Sequence, residues 1–356
     1  MKDILRSWQS WLVEEIKPIA NEIDRNSIAL KSAIEGMGDR SWLALKVPVK
    51  LGGSGLTELE YRLTQIELAR ISGALTFLQT QHQSAASMLS KSNNTALQQQ
   101  FLPNMAKGKA LVGVGFSHLR RRGIPMVSGI ETDSGYEISG EVPWITGYDF
   151  FSHFILGVTL KDGRELYGIL PLQNQQVARG SITCSQPMEL LAIAATNTVS
   201  AKIDRWCLDG DRVVAIKPPG LIHQSSRNNI LNHGWYAIGC AFAGLDIVLA
   251  SAKKKQLDFL YESWQSLDFK VTQCLQKAIA LAKDDNTSYE QKLELRADAI
   301  NLAQRCSQAA VIASSGAANY LNSNAARVYK EALLFSVSGQ TTDVMEESMK
   351  RLASMN

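Results

Sequence analysis

A chain of 356 residues is long enough for two or three packed units around a large core. Its hydrophobic share of 45% and charged share of 20% belong to a soluble globular protein. Thirty-seven basic against 34 acidic residues leave a net charge of +3, too slight to argue for a nucleic-acid or membrane surface.

Three textures succeed one another along the chain. Over residues 1–110 the pattern is helical. Ile4, Leu5, Trp8, Trp11, Leu12 and Ile16 recur at steps that place them on one helix face. "KVPVKLGGSGLTELE" is a Pro/Gly-rich loop in which Thr57 is expected to cap the next helix with Glu60 as its capping-box partner. "YRLTQIELARI" and "NTALQQQFL" continue the helices, and "LPNMAKGKA" is expected to break them at Pro103 and Gly108.

From 111 to 217 short apolar or alternating runs ("LVGVGF", "GYEISGEVPWITG", "HFILGVTL", "ELYGIL", "TVSAKID") predict an all-β barrel or sandwich domain within an α+β chain, with "LKDGRE" as a tight hairpin. Residues 218–356 read as long helices packed as a four-helix bundle, with Leu257 to Ala278 as one apolar stripe. "GWYAIGCAFAGLDIVLASA" (234–252) carries Asp246 and reads as a buried core helix, not a membrane span.

The five cysteines are scattered, with no CxxC pair, and the start shows no signal peptide. The expectation is a reduced, cytoplasmic chain with inert thiols. The five histidines form no HxxxH or HExxH pair, so no metal site is expected.

Two stretches invite chemistry. In "EVPWITGYDFFSHFILGV" Trp144 and Thr146 stand at a strand's end before a turn; packing at the turn explains them as well as a site does. "GVGFSHLRRRG" begins as a dinucleotide fingerprint but has His118 where the third Gly belongs. The residues after it are strand-like instead of helical, so that reading fails. Arg120, Arg121 and Arg122 remain, either a solvated turn or an anion clamp of guanidinium forks.

The order helices, β unit, helical bundle resembles the acyl-CoA dehydrogenase flavoproteins, and four stretches carry the resemblance. "VPVKLGGSGLTELEYRLTQIELARISG" is similar to the family's P-x-x-x-GG-x-G loop and the helix after it. "FLPNMAKGKALVGVGFS" is similar to the lead into its first strand. "SGEVPWITGYDFFSHFIL" resembles its flavin-covering strand, and "RVYKEALLFSVSGQTTDVMEESMKRL" its closing segment.

The resemblance implies FAD, with Trp144 against the ring, Thr146 at its edge, and Ser117 and Gly316 as further cofactor positions. It also implies an acyl-thioester substrate and a homodimer or homotetramer, with no nucleic-acid or membrane partner. Neither the acyl chain nor the electron acceptor can be read from the residues.

Departures accompany it. "FSHLRRRG" replaces the usual T-E-x-x-x-G-S-D loop, and the R-x-x-F-G turn is missing from "ASAKKKQLDFLYESWQ", which predicts a shortened hairpin. "SSGAA" stands where the family has a Gly-Gly pair. The usual catalytic carboxylate falls on Gly339, so Gly339→Glu is expected to raise turnover. The other helix used for that purpose offers only His233, as a base or as a structural helix-start residue. Asp343 and Glu346 are the nearest acids in sequence. A flavin oxidase or monooxygenase on the same fold, or a non-catalytic acyl-CoA or partner-binding scaffold, are the alternatives.

Overall fold

The computed structural model describes residues 2–284 and 286–353. Helices α1 (Lys2–Trp11), α2 (Ala20–Ile23), α3 (Ser27–Asp39), α4 (Glu58–Ile71), α5 (Gly73–Ser90) and α6 (Thr95–Ala106) come first. Trp8 and Trp11, on the predicted face of α1, pack with Trp42 at centroid separations of 5.2–5.9 Å. Thr57 and Glu60 form the expected capping box on α4. Ser72 caps α5, whose first amide, on Gly73, also donates to the buried Glu331 carboxylate at 2.8 Å.

Pro103 does not break its helix. It lies inside α6, where buried Phe101, Leu102, Met105 and Ala106 hold the last turn against the core. Packing outweighs one lost backbone hydrogen bond. The helix ends before Gly108, whose φ of +68° is left-handed.

Among the described residues nine strands come next: β1 (Val112–Gly115), β2 (Val127–Thr132), β3 (Gly135–Ile145), β4 (His153–Leu160), β5 (Glu165–Pro171), β6 (Gln175–Val177), β7 (Gly180–Cys184), β8 (Val199–Asp209) and β9 (Val213–Lys217). They form one sheet in the order β6-β7-β8-β3-β2-β4-β5-β9, with β1 parallel to the first half of β4. The β4–β5 hairpin closes in register from His153↔Pro171 to Thr159↔Glu165, turning at Gly163 with φ +84°.

The remaining helices are α7 (Leu221–Asn228), α8 (Asn232–Lys255), α9 (Asp258–Lys283), α10 (Tyr289–Ser314), α11 (Asn324–Val337) and α12 (Thr342–Ala353). Helix α8 is the axis of the bundle. Any Cβ on Gly239 would lie 2.4 Å from the Ile66 carbonyl, and one on Gly244 2.6 Å from that of Cys306, so glycine is what lets α8 touch α4 and α10. The segment 221–255 is long and apolar enough to cross a membrane. However, 67% of its apolar window is buried in the protein, and Asp246 accepts two hydrogen bonds from Arg70. It is a core helix. The turn from α8 to α9 takes only Gln256 and Leu257, the shortened hairpin expected from the sequence. Of the predicted stripe on α9, Leu260, Val271 and Ala278 are buried and Trp264, Leu267 and Leu275 are half-buried, while Leu257 caps the helix and is exposed.

Candidate active site

A cavity of about 470 Å³ opens where α4, α5, β5, β9 and α7 meet the start of α8, Arg296 of α10 and the loop after α11. Tyr61, Thr80, Tyr167 and Tyr236 give it aromatic and hydroxyl walls. Its charged lining is entirely basic (Lys46, Arg62, Lys91, Arg120, Lys217 and Arg296), with no Asp or Glu among the described residues that line it.

After β1 the chain turns through a short 3₁₀ segment, Ser117–Arg120. His118 anchors it, its buried Nε2 lying 2.9 Å from the Gly157 carbonyl oxygen. That anchor swings Arg120 into the cavity, where its Nε donates to Ser226 Oγ at 2.9 Å. Arg121 resumes extended backbone, and both it and Arg122 are exposed. The expected triple clamp is therefore one inward arginine and two outward ones. A single 3₁₀ turn cannot aim three consecutive side chains the same way.

His233, in the first turn of α8, meets Tyr236 edge-on at 5.5 Å, and its Nδ1 is buried without a hydrogen-bond partner. Burial, then the charges of Arg296, Arg120 and Arg62, hold its pKa well below 6.5. The ring is neutral near pH 7. Arg296 is 1% exposed and donates to the carbonyls of Ile230, Ser338 and Gly339 at 2.9, 2.6 and 3.1 Å. Its Nε has no partner, and burial together with the charge of Arg120 lowers its pKa to about 10. At the outer wall, Lys46 and Arg62 both pair with Glu58.

Gly339 and His233, far apart in sequence, face each other. A Cβ on Gly339 would lie 2.7 Å from His233 Cδ2 and Nε2, and the glycine's φ is +59°. This overturns the expectation that Gly339→Glu restores a carboxylate, because the imidazole fills that space and the backbone disfavours a side chain. The acids next in sequence are engaged elsewhere. Asp343 accepts from Tyr289 Oη at 2.6 Å, and Glu346 pairs with Lys350 at 2.7 Å.

The four proposed cofactor residues lie outside the cavity. Trp144 leaves its indole 47% exposed, whereas Thr146 is buried with Oγ1 3.0 Å from Thr198 Oγ1. The β3–β8 pairing shifts register between Val142 and Ile145, where Trp144 lies. Ser117 is exposed, and Gly316 sits in an exposed turn after α10 with open space around it. Arg296 escaped the sequence reading although a signal was present: it shares the α10 stripe with buried Ala299, Ile300 and Ala303, where an unpaired charge is out of place.

Residues 1–109 match the family "Acyl-CoA dehydrogenase, N-terminal domain". A curated relative, the mitochondrial isovaleryl-CoA dehydrogenase of Pongo abelii, is 29% identical over 143 residues, which are 38% of this chain and 34% of that protein. The match thus spans about a third of the relative's length. Two solved structures share the fold along nearly the whole chain. Butyryl-CoA dehydrogenase from Megasphaera elsdenii has a TM-score of 0.79 at 15% identity, covering 99% of this chain and 97% of the other. Glutaryl-CoA dehydrogenase from Mycobacterium smegmatis has a TM-score of 0.83 at 14% identity, covering 100% and 95%. By sequence, the N-terminal domain resembles the acyl-CoA dehydrogenase family, and the whole chain shares the fold of these two dehydrogenases. Members of that family are generally enzymes and flavoproteins.

Proposed function

We propose that this chain is an FAD-dependent oxidoreductase of acyl-CoA dehydrogenase type whose substrate is an acyl thioester. The observation that carries this reading is the cavity itself: about 470 Å³, bounded by helices and sheet, lined by six cationic side chains and, among the described residues, no acid. Such a lining suits a thioester on a phosphate-bearing carrier, with exposed Lys91 and Lys217 at the rim to meet phosphates.

For FAD, the residues fit in part. The open indole of Trp144 and the exposed Ser117 suit a flat ring and its polar edge, while the Thr146 hydroxyl is buried and shares a hydrogen bond with Thr198. The bound flavin would supply the hydride acceptor that desaturation of a thioester requires. His233 is the proton acceptor nearest the usual carboxylate position, and its neutral state permits the role. A base held so far below neutral pH is weak, which points to slow turnover.

The same absence of a carboxylate favours a second reading, a non-catalytic acyl-CoA-binding scaffold. Absorbance spectra of purified protein, before and after acyl-CoA addition, separate the two. A flavin spectrum bleached by the thioester supports the oxidoreductase, and colourless protein that binds the thioester supports the scaffold. A flavin that thioesters do not bleach but that consumes oxygen once an added reductant such as NADH has reduced it would point to an oxidase or monooxygenase. Protein that takes up neither flavin nor thioester overturns the proposal.

A further inference from the structure

Among the described residues, four of the cavity's six cations have no acid partner, and two of those four are also withdrawn from full exposure to water. Lys46 and Arg62 share Glu58, and Lys91 and Lys217 are exposed to water. Arg120, half-buried, pairs only with the Ser226 hydroxyl, and Arg296, buried, only with backbone carbonyls. Burial lowers the pKa of both, and the charge acting on Arg296 from Arg120 is repulsive. The opposing influences are only Tyr167 on Arg120 and Tyr289 on Arg296. Arg296 is closed off from solvent, yet its Nε is unpartnered, as is Nδ1 of the adjacent His233. Leaving buried like charges uncompensated is costly unless an anion completes the set.

We propose that the inner end of the cavity receives an anionic group of the ligand itself, between Arg120 and Arg296, and that this group is a carboxylate on the acyl chain. The substrate class is then the monothioester of a dicarboxylic acid. This rests on the thioester reading and sharpens it. The carrier's phosphates are the other source of a suitable oxyanion. The solvated lysines at the rim offer phosphates an easier seat than a pair of arginines beneath His233, so the carboxylate is the better occupant. Arg120 is the more informative handle, since its hydrogen bond goes to the Ser226 side chain, whereas Arg296 supports three backbone carbonyls.

The test is calorimetric binding to the purified full chain of glutaryl-CoA, hexanoyl-CoA (nearly isosteric, with an uncharged acyl end) and free CoA, for wild type and Arg120→Gln. Glutaryl-CoA should bind the wild type about ten- to a hundredfold more tightly than hexanoyl-CoA, the range of a charge-assisted pair. Arg120→Gln should erase that preference, weakening glutaryl-CoA about ten- to a hundredfold more than hexanoyl-CoA or free CoA. Arg296→Lys, which keeps the charge but not the fork, should reduce the preference if it folds. Equal affinities for the two thioesters overturn the inference while leaving the thioester reading intact. If Arg120→Gln weakens all three ligands alike, the anion is a carrier phosphate and the carboxylate assignment falls. If none of the three binds the wild type, the thioester reading itself fails.

Discussion

The apposition of Gly339 and His233 predicts a measurable coupling between them. Gly339→Ala places a side chain at φ +59°, which costs roughly 1–2 kcal/mol for an L-residue in the left-handed region. The new Cβ would also lie 2.7 Å from two atoms of the imidazole. That ring is backed by Tyr236 and cannot simply rotate clear, so overpacking adds about 1–3 kcal/mol. The single variant should therefore lose about 2–5 kcal/mol. In a His233→Ala background the overlap vanishes and only the backbone cost of about 1–2 kcal/mol remains. Urea denaturation of the wild type, both single variants and the double variant closes the cycle, with an expected coupling of about 1–3 kcal/mol in favour of the double variant. Additivity to within about 0.5 kcal/mol would refute the packing argument.

His82 is fully buried, with Nδ1 accepting from the Val112 amide at 2.9 Å and Nε2 facing the Met105 carbonyl at 3.2 Å; burial lowers its pKa to about 4. A base depressed in the folded state leaves the unfolded chain holding more protons, so stability is intact above pH 6.5 and falls as pH drops toward 4. The slope is about 1.4 kcal/mol per pH unit from this group, and His82→Gln should remove that part of the slope; an unchanged slope in pH-resolved denaturation would contradict it. Tyr329, Leu333 and Val337 are exposed one helical turn apart on α11, an apolar stripe that suits association between copies. Sedimentation at micromolar concentration should return a species heavier than 39.1 kDa, and a monomer would count against a homo-oligomer.

Elements governed by local chemistry were legible from sequence. The Thr57/Glu60 box, the Asp-Gly hairpin and the apolar run of α8 each depend on neighbours within a few residues. Features that depend on distant packing were not. Pro103 stays helical because residues beyond its own turn bury that face, and the Arg120–Arg122 trio separates because His118 anchors a 3₁₀ turn on β4. The site was half legible. His233 and Gly339 were singled out one at a time, from two different segments, with nothing in either to show that they touch. Arg296 required noticing a charge on an apolar stripe.

The corner around Gly339 behaves as one linked device, not as a site with one residue missing. The left-handed glycine brings its carbonyl to Arg296, the bare Cα makes room for His233, and burial, aided by Arg296 and Arg120, keeps that imidazole uncharged. Introducing a carboxylate beside the two arginines would give it a depressed pKa, because opposite charges stabilise its ionised form, and a carboxylate so stabilised is a poor proton acceptor. Gly339→Glu combined with His233→Ala should therefore restore the fold more fully than it restores base strength. The arginine that makes the corner hospitable to an anionic ligand is the same one that makes it inhospitable to the ordinary carboxylate base, so the two chemistries exclude each other here.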